Sequence, residues 1–288
     1  MKSRNFRYIR PASLAHAYQI LREADGDAVP IAGGQSLLAG LNMRLSAPKL
    51  LVDIGEIREL MDHAHVGGVV RLGALTRHGD LLRSELVRKH LPLLTQAAPH
   101  IGHIAIRNRG TLGGSLAYAD PAAELPACAV ALGATLVLGS SAGEREVKAE
   151  DFFKGLFETD LRPDELIVAV KFPAVQDGMA AGFAELSRRH GDFAMVGLAA
   201  IVNMQRDRID GARLVYFGCV DRAKVAHAVS AAVAGLRPPI AISASLDQAI
   251  GQDLAPDDTP DMRGDTKIHL ASVLTRRVLD GLSTKAAA

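Results

Sequence analysis

Two stretches decide how this chain is read: Pro30-Ile31-Ala32-Gly33-Gly34-Gln35-Ser36-Leu37 and Arg107-Asn108-Arg109-Gly110-Thr111-Leu112-Gly113-Gly114-Ser115. Each carries two adjacent glycines flanked by hydroxyl side chains. Such glycines reach dihedrals closed to other residues and let the backbone approach a ligand closely. Successive N–H groups of a loop of this kind point into one concavity, which suits phosphate oxygens. Val29–Ala32 reads as a short buried strand and Leu37–Arg44 as a helix, so Ser36 falls at the positive end of a helix dipole. The Ser36, Thr111 and Ser115 hydroxyls add donors, and charge-assisted bonds of this type are worth about 1.5–3 kcal/mol each. Neither stretch is a Walker A loop, and neither matches G-x-G-x-x-G. On their residues alone the two stretches are either structural turns or a cradle that closes on a diphosphate from both sides.

Outward from the first loop, residues 5–57 read as a β-α-β lobe. Phe6–Ile9 and Leu50–Asp53 are strand candidates. Ser13 is placed to cap a helix whose apolar stripe is Leu14, Ala17, Tyr18 and Leu21. Residues 58–176 read as a second lobe around the second loop. Val69–Leu72 and Leu166–Phe172 are strands there, and Thr135–Leu138 with Arg145–Lys148 forms a hairpin. Thr76 is placed to cap a helix, Pro92 to open one at its first turn, and Ala122–Leu132 to form another. Val175-Gln176-Asp177-Gly178 marks a boundary. Beyond it, Gly182–Leu186, Val196–Met204 and Ala212–Phe217 read as an antiparallel sheet, with Arg206-Asp207-Arg208 as a turn. Helices are expected at Lys224–Gly235, Ser245–Gly251 and Lys267–Leu282, and the tail from Lys285 is expected to fray.

Composition narrows the function. Of 288 residues, 33 are basic and 32 acidic, so no broad positive field exists for nucleic acid or a membrane surface. The longest largely apolar stretch, Leu125–Gly139, is too short to span a bilayer. No apolar segment follows the charged start, so no signal peptide is expected. The two cysteines, Cys128 and Cys219, cannot ligate an iron–sulfur cluster that needs about four, and they fit a reducing cytoplasm. The ten histidines show no ligand spacing, with His63 and His65 on a surface turn, so no metal site is expected. No nucleophile with its base can be assembled from spacing, so no catalytic residue is nominated.

Ala32-Gly33-Gly34-Gln35-Ser36-Leu37 and Thr111-Leu112-Gly113-Gly114-Ser115 resemble the two FAD diphosphate loops of molybdenum-hydroxylase medium subunits, the family of the xanthine dehydrogenase, carbon monoxide dehydrogenase and quinoline oxidoreductase flavoproteins. Phe6–Pro11, Leu51–Ile54, Tyr118–Pro126, Asp151–Gly155, Leu161–Glu165 and Ser187–Ala194 are similar to family segments in the same order, so the resemblance spans most of residues 6–196. It implies an α+β fold: a two-lobed, vanillyl-alcohol-oxidase-like (PCMH-type) FAD-binding domain over 1–176, with lobes of about 1–57 and 58–176. A small C-terminal domain of antiparallel sheet and helices would follow over 177–288.

The same resemblance implies the site. Pro30, Ile31, Ala32, Gly33, Gly34, Gln35, Ser36 and Leu37 would line the diphosphate and adenine side. Thr111, Leu112, Gly113, Gly114 and Ser115 would hold the other side of the diphosphate. Ile101 and Leu161 would touch the cofactor, Glu124 and the nearby Asp120 would be acidic contacts, and Phe193 would stand beside the isoalloxazine as a gate. Phe193 replaces a Tyr of some relatives and cannot donate a hydrogen bond; Gln35 replaces a His and still can. Arg107 and Arg109 would either offset diphosphate charge or pair with a neighbour, and Arg188 and Arg189 would face a partner or solvent.

The implied activity is that of an FAD-carrying, electron-transferring oxidoreductase subunit. A large subunit would carry the molybdenum cofactor and a small one the [2Fe-2S] clusters, in a cytoplasmic dimer of heterotrimers. Two alternatives stand beside it: a self-sufficient FAD oxidoreductase, and a non-catalytic nucleotide-binding or assembly protein.

Overall fold

Ser13 opens the first helix, α1 (Leu14–Ala24), by accepting the His16 N–H at 3.2 Å. Asp25 ends it in the left-handed region, at φ 43°. In the computed structural model, which describes residues 2–241 and 243–285, α1 joins β1 (Arg7–Ile9) to β2 (Ala28–Ile31). A second helix, α2 (Leu37–Asn42), joins β2 to β3 (Leu50–Asp53). The strands form a parallel sheet in the order β1-β3-β2. Parallel neighbours need crossovers, which the two helices supply. Central β3 buries Leu50, Leu51 and Val52, as a strand covered on both faces must.

The second lobe is built on a five-stranded antiparallel sheet. Its strands are β4 (His63–Val66), β5 (Val69–Gly73), β6 (Thr135–Ser140), β7 (Gly143–Lys148) and β10 (Leu166–Pro173), in the order β4-β5-β10-β6-β7. Two short strands, β8 (Phe153–Gly155) and β9 (Glu158–Thr159), form a separate ribbon after helix α9 (Ala149–Phe152). His63 and His65 lie on the edge strand β4, not on a turn. All four β4 residues are exposed, so no buried alternation announces the strand.

Helices α3 (His78–Arg83), α4 (Glu85–His90) and α5 (Pro92–Ala97) pack beside this sheet, and Pro92 stands in the first turn of α5 as expected. Thr76 does not cap α3; its hydroxyl donates to the Gly73 carbonyl at 2.6 Å. Two further helices, α6 (Ile104–Arg107) and α7 (Leu112–Tyr118), interrupt the glycine-bearing stretch. All eight residues of α8 (Glu124–Ala131) are buried.

The C-terminal sheet explains that burial. Its strands are β11 (Met179–Leu186), β12 (Val196–Gln205), β13 (Arg208–Phe217) and β14 (Lys224–Val225), all antiparallel and in chain order. Ala199, Ile201, Val215 and Phe217 share a core with α8. Leu198, Ala200, Val202 and Tyr216, one residue out of phase, face α10 (His227–Val233), α11 (Ala244–Leu254) and α12 (Gly264–Lys285). A sheet covered on both faces reads as one apolar run, which is what Val196–Val202 shows. The segment expected as one helix from Lys224 begins as β14 before α10 starts. Residues 286–288 of the tail lie outside the described residues. The expected α+β architecture, a two-lobed domain followed by an antiparallel-sheet domain, is the one observed.

Candidate cofactor site

The two glycine loops meet backbone to backbone. A Cβ on Gly33 would fall on the Arg109 carbonyl oxygen and lie 2.8 Å from its carbon and 3.0 Å from Gly110 Cα. Gly34 takes φ +73°, a left-handed conformation that favours glycine. Between the loops opens a mostly apolar cavity of about 600 Å³, in the range of small-molecule sites. Lobe one supplies its Pro30–Leu37 wall, lobe two most of the rest, and the C-terminal domain the rim at Gly191–Phe193.

The first loop is rich in available donors. Among the described residues the N–H groups of Gly33 to Leu37 meet no acceptor, and Ser36, at the start of α2, makes no side-chain cap bond. Gln35 Nε2 donates to the Gly33 carbonyl at 3.1 Å and so braces the turn.

The second loop departs from expectation. Its N–H groups from Leu112 onward are already donated: Leu112 to the Thr76 carbonyl (2.9 Å), Gly113 to Ala74 (2.8 Å), Gly114 to Thr111 Oγ1 (3.1 Å) and Ser115 to the Thr111 carbonyl (3.0 Å). These residues open a capped helix, α7, and do not form a ring of free amides. Gly113 lacks a side chain because Ala74 occupies the space: a Cβ there would lie 2.6 Å from the Ala74 Cβ.

Every expected site residue borders the cavity except Leu112, which is fully buried in the lobe-two core. Phe193, 72% exposed, stands at the rim. Arg107 does not face a ligand; its Nη1 donates to the carbonyls of Pro99 (3.2 Å), Ile101 (3.1 Å) and Gly102 (2.6 Å). It therefore shapes the turn that brings Ile101 to the cavity. Arg188 pairs with Asp261 at 2.7 Å.

Three contributors were not visible in the sequence. His78 is buried beside the second loop: its N–H donates to the Gly110 carbonyl (3.0 Å), and its Nε2 lies 2.9 Å from the Thr111 carbonyl. A carbonyl only accepts, so Nε2 carries the proton. Burial pushes this histidine down to about 4, so it braces the loop as a neutral ring. Arg145 binds both Glu165 oxygens (2.6 and 2.8 Å), the Asp160 carboxylate (2.7 Å) and the Asp160 carbonyl (2.6 Å). That fixes the segment presenting Leu161. Glu185, on β11, reaches across from the C-terminal domain to His100, 3.3 Å away. Each depends on a partner far off in the chain, which no local spacing reveals.

The acidic end of the cavity is Asp120 and Glu124. Burial raises both carboxyls, Glu124 to about 8, with Glu185 and Asp120 raising it further and His100 opposing. Glu124 is thus a neutral acid near pH 7. Among the described residues no cluster of three or more His, Cys, Asp or Glu could hold a metal, and no helix is long and apolar enough to cross a membrane.

The FAD binding domain in molybdopterin dehydrogenase matches residues 4–175, and the CO dehydrogenase flavoprotein C-terminal domain matches residues 181–282. The chain belongs to the FAD-binding medium-subunit family of molybdenum hydroxylases. Relatives match three quarters or more of the chain. Caffeine dehydrogenase subunit beta of a Pseudomonas species is 36% identical over 97% of this chain and 95% of that protein. The 6-hydroxypseudooxynicotine dehydrogenase complex subunit alpha of Paenarthrobacter nicotinovorans is 43% identical over 76% of this chain and 74% of its own. Among solved structures, the carbon monoxide dehydrogenase of Hydrogenophaga pseudoflava gives a TM-score of 0.93 at 32% identity, covering 99% of each chain. Quinoline 2-oxidoreductase of Pseudomonas putida gives 0.92 at 37%, covering 100% of each. This medium subunit is therefore an oxidoreductase subunit whose cofactor is FAD. The cavity fits that cofactor: amides without acceptors suit a diphosphate, and the apolar walls suit a flat ring.

Proposed function

We propose that this chain is the electron-transferring flavoprotein of a three-subunit molybdenum hydroxylase. It would take electrons from iron–sulfur clusters on a small partner and pass them to an external acceptor, with the molybdenum cofactor on a large partner and two such heterotrimers per assembly. The observation that carries the reading is the cavity floored by two touching glycine loops. The only two cysteines, both free and buried, support the assignment of the clusters to another chain and a reducing cytoplasm as the location.

FAD, when bound, supplies the redox chemistry; the protein positions it and tunes its surroundings. In this reading the Gly33–Leu37 amides and the Ser36 hydroxyl bind the diphosphate, joined from across the cleft by the Ser115 hydroxyl. Ile101 and Leu161 hold the ring from apolar sides and exclude water. Asp120 and Glu124 bind hydroxyl and polar edges. Phe193 shields the rim without a hydrogen bond. The division into a 1–176 cofactor domain and a 177–288 domain rests on the change of sheet near residue 176.

The test is the visible spectrum of the chain, purified alone and with its two neighbours co-expressed, with the released cofactor identified. FAD in the chain and added iron–sulfur bands in the co-purified complex are expected. Turnover of an organic substrate by the lone chain would favour a self-sufficient oxidoreductase. A chain that holds no flavin even after FAD is supplied would return both loops to structural turns.

A further inference from the structure

Beside the acidic end of the cavity, two titratable groups from different parts of the fold are in contact, and a third lies near enough to feel their charges. Glu124 opens α8 and borders the cavity. Glu185, on β11, has a side chain only 2% exposed. Its Oε1 lies 3.3 Å from His100 Nδ1, while its Oε2 is buried with no partner among the described residues. His100 is the outermost member, with a third of its side chain exposed. Its ring packs against Phe183 (centroids 5.1 Å apart) and edge-on against exposed His190 (6.0 Å). His190 adjoins the Gly191–Phe193 rim.

A purely structural ion pair is poorly served by this arrangement. A buried carboxylate oxygen without a donor costs about 1–3 kcal/mol or more, and His100 engages only Oε1 of Glu185. The other titratable groups facing the cluster are Asp120 and the buried Cys128 thiol. The nearby Arg107 guanidinium has already donated to backbone carbonyls. The cluster therefore leaves one buried carboxylate oxygen unmet, leads from the cavity toward solvent, and crosses the interface between two domains.

We propose that His100, Glu185 and Glu124 form a proton relay between solvent and the cofactor cavity. The inference rests on the reading that the cavity holds FAD fed by a partner's iron–sulfur clusters. Such clusters deliver electrons and no protons, so uptake of two electrons at the cavity must be matched by at least one proton from water. In the relay the Glu124 O–H breaks as its proton moves into the cavity. Glu185 hands a proton to Glu124, His100 hands one to Glu185, and water reprotonates His100. Each step breaks one O–H or N–H bond and forms another, and the sequence reverses when electrons leave for the external acceptor.

The experiment uses the FAD-loaded protein, reduced in a stopped-flow cell by pre-formed methyl viologen radical cation, a one-electron donor that releases no proton, with a pH-indicator dye present. Flavin bleaching reports electron arrival and the dye reports proton uptake. In wild type the two are expected in step. In His100→Gln and Glu185→Gln, neither of which alters a cavity-lining residue, flavin content should hold while proton uptake lags by roughly tenfold or more. Added imidazole should restore the rate in His100→Gln and not in Glu185→Gln. Uptake that stays in step in both variants overturns the relay and leaves the FAD reading intact; wild-type protein that binds no FAD overturns both. An infrared difference spectrum of wild type supplies a check that needs no variant. A protonated-carboxyl band should change on reduction, and a spectrum without such a change overturns the relay.

Discussion

Gly33→Ala tests whether the contact between the two loops makes the site. The added methyl would fall on the Arg109 carbonyl oxygen, 2.8 Å from its carbon and 3.0 Å from Gly110 Cα. All three obstacles are backbone atoms, so no rotamer change relieves them, and the loops must part by about an ångström. Overpacking of this kind costs about 1–3 kcal/mol. If the closed loop pair is the form that binds FAD, that cost appears as a loss of affinity of about 5- to 150-fold, at about 1.4 kcal/mol per tenfold. The natural control is Gly40→Ala, at a position in α2 where a Cβ meets nothing within 4 Å. There the better helix former should add up to about 1 kcal/mol of stability. The assay is fluorescence titration of the flavin-free protein with FAD, paired with thermal melting of each variant. A Gly33→Ala protein that binds FAD as wild type does and melts at the same temperature would refute the argument.

Three other perturbations follow from particular contacts. Glu124 is held near 8 in the folded chain against an ordinary 4.5, so its contribution is full below about 4.5 and is lost as pH rises toward 8, by at most about 1.4 kcal/mol per pH unit. Glu124→Gln should flatten the fall of melting temperature over that window; parallel curves would sink the assignment. Arg145→Ala leaves Glu165, whose side chain is only 4% exposed, with the Arg162 N–H as its remaining partner, and should cost about 1–3 kcal/mol and speed FAD release by freeing the Leu161 segment. Wild-type melting and release would show that the network is not needed. The Tyr18 hydroxyl is buried without a partner among the described residues, so Tyr18→Phe should be neutral or stabilising by about 1–2 kcal/mol in a denaturant titration, and clear destabilisation would show that the hydroxyl is satisfied after all.

What was legible in the sequence was local. Ser13 as a cap, Pro92 at a first turn, the β6–β7 hairpin and the doubly covered β12 all carry their signal within a few residues. The glycine loops were legible as a candidate site because ligand approach and close packing both demand glycine. For the same reason the sequence could not say which demand applies at Gly113, where the answer is Ala74. Strand β4 escaped because an exposed edge has no buried face to alternate with. Arg107 read as a countercharge because nothing local shows three carbonyls turned toward it. His78, Arg145 and Glu185 acquire their roles only from partners brought in by folding.

Strand β10 imposes an order of events during synthesis. It is the last strand of its sheet to leave the ribosome, yet it lies in the middle, between β5 and β6. Until residue 173 emerges, the two outer strand pairs have no common neighbour, and the cavity lacks the Leu166–Ile167 part of its wall. Closing a sheet on so late a strand requires long-range pairing, which is slow and leaves edges exposed meanwhile. The nascent chain therefore cannot load its cofactor early. A fragment ending at residue 160 would retain both glycine loops and still hold no flavin.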